Sequence, residues 1–145
     1  MKSPTTAFYY HNGMSSGGTL QTTYTQNIGK RFNFAIEYMG LRSEGLYQRE
    51  IASSNNTIFS AHYLSKNSKY EAFAHFIHQN ISNEENGGIA NLENFTSGDS
   101  RFNSRKNLTV NLHNTYTRMA ARRFYFSHYF APFDVEKFPF KLSHT

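Results

Sequence analysis

From Arg31 to Arg42 the side chains alternate: Phe32, Phe34, Ile36 and Tyr38 fall on one pleat face, Asn33, Ala35 and Glu37 on the other. A strand with one oily and one wet side is predicted there. The same period, weaker elsewhere, predicts strands near 7–10, 19–26, 31–42, 57–65, 70–79, 108–116 and 122–130. Leu108, Val110 and Leu112 oppose Thr109, Asn111 and His113, and Phe59, Ala61 and Tyr63 oppose Ser60 and His62, although Leu64 then falls on the polar side. The segment 70–79 is apolar on both faces, and Phe124, Phe126 and Phe130 oppose Tyr125 and Tyr129.

Punctuation between these runs is of two kinds. Compact turns rich in Asn, Gly and Ser are predicted at 27–30 and 66–69, with a third at 117–121. Long polar loops are predicted at 43–56 and 80–106, and Gly13, Gly17 and Gly18 read as a loop between strands. Alternation of short turns with long loops, the latter facing outward, is how a transmembrane β-barrel is written.

Composition fits that reading. Aromatics make up 17% of the 145 residues while hydrophobic residues reach only 38%, and the mean hydropathy is -0.65. That is poor for a packed soluble core, but a barrel with a wet lumen needs only every second strand residue to be apolar. The aromatic content argues against disorder. With no cysteine, disulfides and thiol chemistry are excluded. No run of about eighteen apolar residues occurs, which excludes a spanning helix and is blind to barrels. The start of the chain lacks the apolar stretch of a signal peptide. Six or seven strands also fall short of the roughly eight of the smallest single-chain barrels. The expectation is therefore all-β: residues 1–145 as one incomplete, antiparallel transmembrane β-barrel segment.

The stretch Phe32-Asn33-Phe34-Ala35-Ile36-Glu37-Tyr38-Met39-Gly40-Leu41-Arg42-Ser43-Glu44-Gly45-Leu46-Tyr47-Gln48, then Lys66-Asn67-Ser68-Lys69-Tyr70, then Asn83-Glu84-Glu85-Asn86-Gly87-Gly88 with Ser97-Gly98-Asp99 behind it, resembles the putative porin family of Bacteroidetes-type outer membranes. The resemblance runs from about Pro4 to Asn111, and 133–145 reads as an altered tail. It implies a many-stranded outer-membrane barrel of which this segment is part. It carries over no catalytic or ligand-binding residue.

Candidate chemistry is sparse. His75 and His78 have a metal-like interval, but three residues apart in a strand they point to opposite faces; His62 and His75 share the wet side of neighbouring strands instead. Glu84, Glu85, Glu93 and Asp99 offer oxygen ligands without EF-hand spacing. No nucleophile elbow, phosphate loop or HExxH word is present, so no enzyme activity and no cofactor are expected.

Two other readings stay open. One is a soluble β-sandwich adhesion or carbohydrate-binding module, in which two sheets bury their oily faces against each other. The other follows from a net charge of +5: a basic aromatic sheet binding single-stranded nucleic acid, with Arg118, Arg122 and Arg123 beside Phe124-Tyr125-Phe126. Against the latter, the basic residues gather at predicted strand ends, where a membrane boundary tolerates them, so no nucleic-acid partner is expected. The partners expected are outer-membrane lipid, the remaining strands of the parent barrel or other subunits, and small solutes. Asn33, Glu37, Ser60, His62, Asn111 and His113 are the residues expected to line the pore.

Overall fold

A computed structural model describes residues 3–13, 16–133 and 140–145. They form one antiparallel sheet in simple meander order: β1 Thr5–Gly13, β2 Gly17–Ile28, β3 Phe32–Glu44, β4 Ile51–Leu64, β5 Tyr70–Glu85, β6 Thr115–Phe130 and β7 Leu142–His144. Among the described residues no second sheet lies over either face, as the sandwich reading requires. Nor does the sheet close on itself, since β1 and β7 lie at opposite edges.

Local chemistry sets the register. Gly29 adopts φ 66°, a left-handed conformation that costs glycine little, and lets Ile28 pair with Phe32. At the β4–β5 turn, Ser65 N–H donates to the Tyr70 carbonyl at 2.8 Å, while Asn67 Oδ1 accepts from Ser65 Oγ at 2.8 Å and from Lys69 N at 3.2 Å. This clasp fixes Leu64 opposite Glu71. A one-residue slip would exchange the two faces of β5 relative to β4, so these turns decide which side chains share a surface.

The sheet departs from the sequence pattern at its C-terminal side. No strand forms over 108–114; β6 begins at Thr115 and runs unbroken through 117–121, where a turn was expected. Thr117-Arg118-Met119-Ala120-Ala121 holds no Gly, Asn or Pro, and Met119 pairs opposite Ile81, so the ladder with β5 continues to Glu85 and Thr115. The expected loops shrink to 45–50 and 86–114 because β4 starts at Ile51 and β5 ends at Glu85. Gly13, Gly17 and Gly18 are strand residues, Gly13 pairing with Gly17.

The alternation of Leu108 and Val110 builds the 86–114 connection instead. Gly87 and Gly88, at φ 66° and 84°, terminate β5. A short helix α1, Leu92–Thr96, follows with Asn91 Oδ1 capping Glu93 N and Asn94 N, and then two 3-10 turns at Ser100–Phe102 and Arg105–Asn107. Leu108 and Val110 are 1% and 2% exposed, and Val110 bridges Ile89. With Ala131, they are the fully buried apolar residues among those described. The sheet itself has no protein core.

Candidate functional site

The register sorts the strands into two surfaces, named here by residues of β3. The Phe34 face gathers Tyr24, Phe32, Ile36, Phe59, Tyr63, Phe76, Phe124 and Phe126 at the end of the sheet nearest the turns at 29–31 and 65–69. Its rings touch in sequence across strands, Phe34 with Phe59 at 6.4 Å between centroids and Phe76 with Phe124 at 4.7 Å. They remain open to the surroundings: Phe124 is 78% exposed and Phe59 40%.

The Glu37 face carries hydrogen-bonding groups at the same level. Asn33 lies opposite His62 and Ala35 opposite Ser60, so four of the expected lining residues, Asn33, Glu37, Ser60 and His62, share one surface. Asn33 Nδ2 donates to Asn27 Oδ1 at 3.0 Å and to the Gln26 carbonyl at 3.1 Å. Gln21 Nε2 donates to Glu37 Oε1 at 3.2 Å. His62 Nε2 donates to Glu71 Oε1 at 3.0 Å, and its ring stacks on Phe73 at 4.6 Å. Ser60 faces His75, which stacks on Tyr125 at 4.9 Å.

This face is concave near the turns: a recess of about 860 Å³ is lined by Thr5, Thr25, Asn27, Asn33 and His62 of the Glu37 face, together with Lys30 and Arg31 of the turn. A smaller one of about 230 Å³ lies over Asn33, Ser60, His62, Phe73, His75 and Tyr125. Glu71, Phe73, Tyr125 and Tyr129 share this face and were not among the residues expected on it. Their parity within β5 and β6 was the available signal, obscured because three of them are aromatic and read as exceptions to a polar side.

Asn111 and His113 do not join this surface. Both lie in the 86–114 connection, where Asn111 Nδ2 donates to the Gly87 carbonyl at 2.9 Å, a local bond that competes with strand pairing. The four acids do not converge either: Glu84 and Glu85 end β5, where Glu84 pairs with Arg49 at 3.9 Å and Glu85 accepts from Thr117 Oγ1 at 3.1 Å, Glu93 lies in α1, and Asp99 binds Arg101 at 2.6 Å. Among the described residues no group of three or more His, Cys, Asp or Glu is placed to hold a metal ion. The basic run of β6 is split, Arg118 and Arg122 on the Phe34 face and Arg123 on the other, and all three lie within the strand rather than at a turn. The surface therefore offers donors, acceptors, two paired carboxylates and aromatic rings.

No curated protein and no solved structure matches the chain. A protein-family model described as putative porin matches residues 1–145, thus extending past Asn111 and including the tail at 133–145, of which 134–139 lie outside the described residues. The chain belongs to the putative porin family.

Proposed function

We propose that this chain forms part of a porin-like β-barrel in a bacterial outer membrane, with lipid against the Phe34 face and a water-filled path for small solutes along the Glu37 face. The observation that carries the reading is an uncovered aromatic surface backed, one pleat away, by a hydrogen-bonded polar one. In water so large an apolar patch would drive association; hydrocarbon is the solvent that suits it. On β3 the apolar run from Phe32 to Tyr38 covers about 20 Å at roughly 3.3 Å per residue. At the strand tilt of about 40° usual in outer-membrane barrels it accounts for about 15 Å of an apolar belt about 25 Å tall.

Both edges of the sheet support a larger assembly. β7 pairs only with His128, Tyr129 and Phe130, leaving the rest of that β6 edge without a partner strand among the described residues. In lipid each unpaired backbone group costs several kcal/mol, so further strands, from the parent barrel or another subunit, complete the wall. No reaction enters this reading.

Vesicle permeation tests it. Protein extracted from membranes and reconstituted into phosphatidylcholine vesicles is expected to release trapped monosaccharide while retaining dextran. A folded, monodisperse protein recovered without detergent and inert toward vesicles would contradict the proposal.

A further inference from the structure

Toward the loop end, the Phe34 face changes from aromatic to basic. Past Phe76 on β5 and Phe124 on β6 it carries His78, Asn80 and Ser82 opposite Arg122, Ala120 and Arg118. The small Ala120 lies between the two arginines, which stand about 13 Å apart along the strand at roughly 3.3 Å per residue. Asn80 pairs opposite Ala120, its Nδ2 donating to His78 Nε2 at 3.0 Å, and the Arg118 guanidinium lies 4.1 Å from the Tyr116 ring centroid. Arg42, Arg49 and Arg101 each meet a carboxylate. Among the described residues neither Arg118 nor Arg122 forms such a pair.

We infer that this strip binds the phosphate-bearing headgroups of anionic lipids. The inference rests on the proposal that the Phe34 face meets lipid. Given that, these cations stand just beyond the apolar belt, at headgroup depth and on the outside of the wall, where solute in the pore cannot reach them. Guanidinium is the side chain best matched to phosphate, offering two parallel donors to its oxygens. A juxtamembrane cation near an anionic surface gains from that field. Arg123, one residue away, points to the opposite face beside Ile77 and supplies an internal control.

The test uses the membrane-extracted protein in phosphatidylcholine vesicles doped with spin-labelled phosphatidylglycerol or spin-labelled phosphatidylcholine. Wild type is expected to immobilise phosphatidylglycerol preferentially. The preference should fall by roughly fivefold per arginine in Arg118→Gln and Arg122→Gln, and stay unchanged in Arg123→Gln. Equal immobilisation of the two lipids by wild type, retention of the preference in the double variant, or equal loss in Arg123→Gln would overturn the inference. Absence of any immobilised lipid would overturn the lipid-facing reading itself and the inference with it.

Discussion

On β3, β5 and β6 the two halves of the strand make opposite use of the same pleat. Near the turns the Phe34 face is aromatic and the Glu37 face holds Asn33, His62, Glu71 and His75. Near the loops the polarities exchange: Arg42, Asn55, Asn80 and Arg122 occupy the Phe34 face, while Met39, Ile77, Ile81 and Met119 occupy the other. β5 and β6 have sixteen residues each, more than the roughly 9–11 residues with which a tilted strand crosses a bilayer. The exchange marks where the hydrocarbon is expected to stop. On the proposed function the crossover encodes depth.

The halves also differ in what holds them together, and this can be broken selectively. The loop end has a small core, with Leu108 and Val110 sealed within the connection and Gln48 Nε2 donating to the Lys106 carbonyl at 2.7 Å. Leu108→Ala should destabilise that cap by about 2–5 kcal/mol, seen as proteolytic nicking within 86–114 while the strand signal in circular dichroism persists. At the turn end, on the proposed function, stability depends on lipid instead. Ile36→Arg should cost about 2–4 kcal/mol in urea unfolding from vesicles, against about 0–1 kcal/mol for Asn55→Arg on the same face beyond the crossover. Equal costs would remove the depth assignment.

At the crossover itself, Gly40 is buried because the Tyr38 ring folds over it and Tyr38 Oη donates to Asn55 Oδ1 at 3.0 Å. A Cβ at position 40 would lie 2.7 Å from Tyr38 Oη. Gly40→Ala should displace the ring and lose that bond, for about 1 kcal/mol. The smallest effect lies out in the loop, where the Arg101 guanidinium, joined by its backbone N–H, holds the Asp99 carboxyl below its usual range. Because the folded value is the lower one, the stabilisation is present above the ordinary aspartate pKa of about 3.9 and disappears as pH falls through the lowered value. Arg101→Ala should return Asp99 toward the ordinary value in an NMR titration, with no change in the sheet.

Much of this was legible because β3 is written cleanly and two turns announce themselves. Phe32, Phe34, Ile36 and Tyr38 put every large apolar side chain of that run on one face, and Gly29 and the Ser65–Asn67 clasp mark where the chain reverses. The C-terminal third was harder for a physical reason. Leu108, Val110 and Leu112 have a strand's period, but Gly87 and Gly88 had already ended β5, and the period serves a compact loop. In β6 the crossover disguised the strand, since Arg118, Arg122 and Arg123 among alanines look like a polar turn to any reading that expects one oily side throughout. The pairs His62 with Phe73 and His75 with Tyr125 depend on register between strands, which no single strand's pattern contains.

The central claim is that the Phe34 face meets hydrocarbon and the Glu37 face meets water. The chain has no cysteine, so single-cysteine variants report on one position each without background. In intact vesicles, a water-soluble maleimide should label Asn33→Cys, Glu37→Cys and His75→Cys quickly and leave Phe34→Cys, Ile36→Cys and Phe76→Cys unreacted until detergent is added. Labelling of both sets at the same rate in intact vesicles would contradict the account.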